Sequence, residues 1–182
     1  MATITTIKAS VEAAQHLIDL ATQSSYIAIG RPDAWDRDNS PPLPEKDVDT
    51  LDNLIGLKKV DNLSLVTPIS KEEAENTVNK VQFDGMYWKL VSVEEAVEEE
   101  AYYIYFNATI DDSHFGDVEY RQVGIYIGTE ANEDVTDTES LEPHEVSDLG
   151  TLYFLSNRVP QQVQNGIKSS ETFIVTTLPR QF

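Results

Sequence analysis

Lys80-Val81-Gln82-Phe83-Asp84-Gly85-Met86-Tyr87-Trp88-Lys89-Leu90-Val91 is the stretch whose reading decides the fold. Asp-Gly between two runs of β-formers specifies a two-residue type I′ turn, because both central residues of that turn need φ > 0. Such a turn pairs Phe83 with Met86, Gln82 with Tyr87, Val81 with Trp88 and Lys80 with Lys89. Phe83, Met86, Val81, Trp88 and Leu90 then share one face, while Gln82, Tyr87 and the two lysines share the other. A half-buried antiparallel hairpin follows, since a one-residue slip would turn the whole apolar set to solvent. The paired lysines repel mildly and mark an exposed end.

Towards the C-terminus, residues 94–100 hold five acids and read as a solvated turn. Four strands should come next. Residues 101–110 alternate, with Tyr102, Ile104, Phe106, Ala108 and Ile110 on one face. Residues 120–128 gather Val123, Ile125 and Ile127, and residues 151–159 and 172–178 complete the set. Residues 130–148 carry eight acids and no Lys or Arg, which predicts an exposed connection.

Towards the N-terminus, Ser70-Lys71-Glu72-Glu73 is a capping-box pattern that predicts a brief helix. Residues 57–66 read as one strand closed by Pro68, and residues 47–55 as two helical turns. Residues 30–46 contain Pro32, Pro41, Pro42 and Pro44, a density that forbids both helix and ladder, so an extended loop is expected. Tyr26-Ile27-Ala28-Ile29 is a short buried strand. A helix is predicted over 10–23, capped by Ser10, with Glu12 in its first turn and Val11, Ala14, Ile18 and Ala21 on its buried face, Leu17 and Leu20 beside them. The fold class is therefore mainly β (α+β): an antiparallel β-sandwich-like domain with an N-terminal amphipathic helix packed on it and long Pro-rich and acidic loops. We expect a single domain over 1–182, divided into a helical segment (1–24), a strand and Pro-rich loop (25–69) and a β-rich core (70–182).

The chain has 182 residues, enough for a core. With 13 bases against 32 acids, its formal charge is −19. Binding a phosphate backbone or an anionic bilayer needs clustered Lys and Arg, so neither nucleic acid nor membrane is an expected partner. Cysteine is absent, which excludes disulfides, thiolate metal sites and a Cys nucleophile and suits a reducing cytoplasm. No run approaches the ~20 apolar residues of a membrane span, and the N-terminal residues lack a signal-peptide layout.

Chemical constellations are few. His16, His114 and His144 lie in unrelated contexts, and the carboxylates around His114 belong to a loop of turn-formers. No nucleophile elbow, His-Glu-x-x-His pair or phosphate-binding Gly loop occurs. Among 32 acids some pair always meets hydrolase spacing, so that spacing decides nothing. Asp36-Arg37-Asp38-Asn39 and residues 134–139 are faintly calcium-like, but the sixth position counted from Asp36 is Pro41 where a hand-type loop needs Gly. We therefore expect no catalytic, cofactor-binding or metal residue. Arg31 and Trp35 sit where the short strand breaks into the Pro-rich loop. They read either as an interaction hook or, preferably, as pins that hold a loop with no ladder of its own.

At this loop the sequence resembles a known family. Tyr26 through Trp35, followed by Pro41-Pro42-Leu43-Pro44, is similar to the N-terminal signature of the dimeric baseplate wedge component of T-even-like, contractile-tailed phages. Two further matches follow in order: Tyr120-Arg121-Gln122-Val123-Gly124-Ile125 resembles the family's Arg-Gln strand, and residues 150–160 resemble its Tyr-containing strand ending in Asn-Arg-x-Pro. The helix before and the final strand over 171–178 also fit. Ala34 departs from a common Pro, and the hairpin stands where the T-even protein has a large central insertion. The resemblance implies a structural protein that is not an enzyme and carries no cofactor. It would be homodimeric and placed in the virion's tail baseplate. Assembled in the host cytoplasm, it would hold neighbouring wedge and tail-fibre-connecting proteins. It also marks Gly30, Arg31, Trp35, Pro41, Pro42, Pro44, Arg121, Gln122, Tyr153, Asn157, Arg158 and Pro160 as candidate structural or interface residues. A charge of −19 would keep free subunits apart until a basic partner arrives. A second reading is a glycan-binding or fibre-connecting module using exposed Tyr87, Tyr103, Tyr105 and Tyr126.

Overall fold

The computed structural model describes residues 5–37, 39–164, 166 and 168–177, with residue 112 described by its backbone alone. Among the described residues strand outweighs helix, 45% to 17%, which makes the fold mainly β as expected. The chain forms two compact units, each assembled from separated segments: residues 1–22, 62–106 and 172–182 make unit 1, and residues 23–61 and 107–171 make unit 2.

Unit 1 opens with α1 (Ile7–Gln23), which buries Val11, Ala14, Leu17, Ile18 and Ala21. The helix begins a turn earlier than predicted. Thr6 Oγ1 accepts the Ala9 N–H at 3.3 Å, and the expected cap, Ser10, lies inside the helix with its hydroxyl donated back to the Thr6 carbonyl at 3.0 Å. Such back-bonding lets a serine sit within a helix. Further along, Ser70 caps α2 (Lys71–Asn76) with the full capping box. The hairpin of β4 (Lys80–Phe83) and β5 (Met86–Val91) has the predicted register at all four pairs. Its turn residues Asp84 and Gly85 have φ of 50° and 74°, as type I′ requires. Trp88, Val66 and Tyr105 form a buried cluster, with Val81, Phe83 and Leu90 packed on it.

Between the helix and the hairpin, the predicted single strand over 57–66 is two. These are β2 (Leu54–Lys59) and β3 (Asn62–Ile69). The break falls where Val60 N–H donates to Ser25 and Asp61 N–H to Asn107, so the ladder is interrupted by bonds to other segments. Pro68 lies within β3 opposite Trp88 rather than beyond its end. β3 to β5 form a five-stranded sheet with β6 (Tyr103–Ile110) and β12 (Ser169–Thr176), in the order β12-β6-β3-β5-β4. β12 starts earlier than predicted, and Leu178 lies outside the described residues.

Unit 2 holds the second five-stranded sheet. Its members are β1 (Ser25–Gly30), β2, β7 (Val118–Ile127), β9 (Ser140–Leu141) and β11 (Thr151–Val163), ordered β11-β7-β1-β2-β9. Central β1 and the second half of β7 are buried on both faces, and every registered pair is antiparallel. Bulges at Leu152/Phe154 and Asn157/Gln161 curve β11. The acidic stretch 130–148 is more ordered than expected. It contributes β8 (Glu130–Ala131), β9, a 3₁₀ turn (Pro143–Glu145) and β10 (Val146–Asp148), and buries Leu141 completely. The acids misled because Leu141 inserts from among them, with Ala131, Val135 and Val146 packed against the same buried cluster. The helix predicted over 47–55 is absent. Leu51 N–H and Asp52 N–H are taken by the side chains of Tyr126 and Gln122, so acceptors on β7 replace the helical ones.

Candidate functional site

β1 ends at Gly30, which pairs with Leu54 on one side and Gln122 on the other. A Cβ at Gly30 would stand 2.8 Å from the Asp52 carbonyl oxygen, so only glycine admits the returning chain here. The irregular segment 31–53 leaves from this point and closes at its own neck. Arg31 N–H donates to the Asn53 carbonyl at 3.2 Å, and Asn53 Nδ2 donates to the Arg31 carbonyl at 3.0 Å.

Besides the Tyr126 hydroxyl on Leu51 N–H, four side chains tie the loop to the sheet. Arg31 Nε donates to the Glu119 carbonyl at 3.1 Å, and Trp35 Nε1 to the Arg158 carbonyl at 2.9 Å. Asn157 Nδ2 donates to the Pro42 carbonyl at 2.9 Å. Gln122, only 5% exposed, links three segments: its Oε1 accepts Asp52 N–H at 2.8 Å, and its Nε2 donates to Asn157 Oδ1 at 3.1 Å. Buried backbone polar groups need partners, and a loop without a ladder must find them in side chains. Arg31 and Trp35 each bond the loop to a backbone carbonyl of the sheet.

The structure brings Gly30, Arg31, Trp35, Pro42, Gln122, Asn157 and Arg158 into this one network, although they come from three distant parts of the chain. The other predicted residues stand outside these bonds. Arg121 turns back to Glu119, donating from Nε and Nη2 to one carboxylate oxygen at 3.1 and 3.0 Å. Tyr153 is exposed at the first β11 bulge. Pro41, Pro44 and Pro160 are half-buried, while Leu43 between the prolines is 91% exposed. Asp52, Asn53 and Tyr126 complete the site and were missed. Asn53, at φ 44°, is a turn residue just before a strand, which is the signal that could have found it.

Behind the network, Arg158 Nη2 lies 3.8 Å from Glu171 Oε2, and buried Glu171 also accepts the Tyr120 hydroxyl. Burial, and then the facing Glu171 carboxylate, push the Tyr120 phenol far above its ordinary range, so it stays a donor. The pinned loop frames a cleft of about 750 Å³, whose described lining residues include Pro32, Trp35, Pro42, Asp33, Asp36 and Asp52.

The remaining chemical candidates separate. His16 and His144 are exposed. His114 Nδ1 accepts the Asp111 N–H at 3.2 Å within its own turn, where the Ser113 hydroxyl, ahead of other groups, holds the Asp111 carboxyl below its usual range. Among the described residues no three His, Asp or Glu side chains converge on a metal position; Asp38 is not among them. Two tyrosines expected at a glycan-binding surface are buried, Tyr126 completely and Tyr105 to 9% exposure. Tyr103 packs edge-on to Trp88 at 5.1 Å. The alternating pattern misplaced Tyr105 and Tyr126 because both faces of β6 and β7 are covered.

The chain is mostly β and acidic, and seven of the residues that the motifs marked meet around one irregular loop. The chain belongs to the family described as baseplate wedge 3 tail fiber network component, whose model matches residues 1–177. It is also 30% identical over 154 residues to Virion protein 3 of Enterococcus phage phiEF24C, a match covering 84% of this chain and 83% of that protein. The resemblance read from the strand-loop, Arg-Gln and Asn-Arg motifs therefore holds, and the protein is a structural component of a phage virion baseplate.

Proposed function

We propose that the protein is a wedge subunit of a contractile tail, that it acts through protein–protein contacts alone, and that it pairs with a second copy through a self-complementary surface. Assembly in the host cytoplasm with neighbouring wedge or fibre-connecting proteins belongs to the same reading. The observation that carries it is the pinned loop. Residues 31–53 are fixed at Arg31, Trp35, Pro42 and Asp52 while the loop's crest, Leu43, is 91% exposed. A loop ordered before contact loses little conformational freedom on binding, which suits a permanent joint.

Quantitative mass spectrometry of purified particles, normalised to the sheath protein, tests the assignment. A copy number of twelve would be a pair in each of six wedges; six copies would reject the pair and keep the wedge, and absence from particles would reject both. Encounter with partners should also slow as salt rises, because a net charge of −19 steers a basic partner only over about a Debye length. Salt-independent assembly rates would remove the electrostatic role.

A further inference from the structure

We infer that the cleft beneath the Pro-rich loop receives an arginine side chain from a basic segment of a neighbouring protein. The inference rests on the wedge reading and names the chemistry of one neighbour.

The cleft of about 750 Å³ falls within the range of pockets that enclose a ligand group. Its walls are stiff: Pro32 and Pro42 have fixed φ, and the Trp35 ring is anchored through Nε1 to the Arg158 carbonyl at 2.9 Å. A fixed indole offers a surface on which a guanidinium stacks, through its plane and its charge. Among the described residues, three acids, Asp33, Asp36 and Asp52, line the same cleft against one base, Arg37, a balance of 1 − 3 = −2. Asp33 and Asp36 make no hydrogen bond or ion pair with any described residue and are exposed. Aromatic wall, rigid sides and unpaired carboxylates together match an arginine better than an aliphatic or acidic side chain. A guanidinium satisfies all three at once, since it stacks on its face and donates from its edge.

The test uses the full chain and a nine-residue peptide of alternating alanine and arginine, followed by the indole N–H resonance of Trp35. The same peptide with citrulline replacing arginine keeps the shape and removes the charge. We expect saturable shifts of the Trp35 signal with the arginine peptide and none with citrulline. Asp33→Asn with Asp36→Asn should raise Kd about ten-fold, the sum of two exposed ion pairs. Glu133→Gln with Asp134→Asn removes the same charge elsewhere on the surface and should leave Kd unchanged. Equal weakening by both double variants would reduce the effect to overall charge and overturn the inference, as would citrulline binding equal to arginine. Particles grown with Asp33→Asn/Asp36→Asn separate this inference from the wedge reading. A lowered copy number supports the cleft. A normal copy number, with the wild-type protein present in particles, overturns the cleft and leaves the wedge standing.

Discussion

Replacing Gln122 with methionine isolates the hydrogen bonds that hold the loop to the sheet. Methionine is close to glutamine in length and fits a site only 5% exposed, so packing is largely kept. Two well-formed bonds are lost, the 2.8 Å bond from Asp52 N–H and the 3.1 Å bond to Asn157 Oδ1; the 3.5 Å approach to Asp52 Oδ2 adds little. At about 1 kcal/mol net for each bond, the loss is about 2 kcal/mol. Asp52 is exposed, so water recovers its N–H and no full desolvation cost is added. Gln122→Ala also removes the methylene, sulfur and methyl that methionine keeps, and should lose about 2 kcal/mol more. The assay is urea unfolding combined with native-state hydrogen exchange at the Asp52 amide. Asn157→Ala supplies a double-mutant cycle: both changes remove the same Gln122–Asn157 bond, so the double variant should fall short of the sum by about 1 kcal/mol. Stability of Gln122→Met within about 0.5 kcal/mol of the parent, with Asp52 protection intact, would refute the pinning scheme.

Gly150→Ala should destabilise by about 3 kcal/mol or more, because its φ is +72° and a Cβ would meet the Ile127 carbonyl oxygen at 2.4 Å; Gly85→Ala, at φ +74° with open space, should cost about 1 kcal/mol, and thermal unfolding of the two variants compares them. At Asp61, burial raises the pKa, but the Lys58 ammonium and the Thr109 N–H outweigh it and the carboxyl stays below its ordinary value. A depressed carboxylate stabilises the fold above its unfolded pKa and ceases to do so as pH falls through the folded one. Asp61→Asn should therefore be less stable than the parent at neutral pH and converge with it in acid; a pH-independent difference in urea midpoint would remove this role. Ser70→Ala should remove the capping box and about 1 kcal/mol, with exchange rising in α2 and not in β7.

Local features were readable from residues and remote ones were not. The hairpin register followed from Asp84-Gly85 and the period of its flanks, and α2 from Ser70 and Glu73, because each signal and its partner lie within a few residues. The loop was recognised as irregular from its prolines. What holds it was visible only as a choice between pin and hook, since the Trp35 and Asn157 bonds span 123 and 115 residues. The same distance explains the failed helix over 47–55: its N–H groups are satisfied by Gln122 and Tyr126, 70 and 75 residues away. The motifs that carried the family resemblance lie far apart in the sequence, and that Gly30, Trp35, Gln122 and Asn157 meet in one place is something no motif discloses alone.

The interleaving of the two units has a consequence for synthesis. Unit 1 begins with the first 22 residues and receives its last piece only after residue 171, while unit 2 fills the intervals. At roughly 5–20 residues per second, a ribosome keeps the first segment of unit 1 waiting for the last one for about 10–30 s. During that time the nascent chain carries unfinished sheets, and the many long-range pairings make closure slow once the last strand emerges. No single cut releases either unit as a contiguous piece. Fragments expressed on either side of residue 61 or 106 should therefore fail to fold alone.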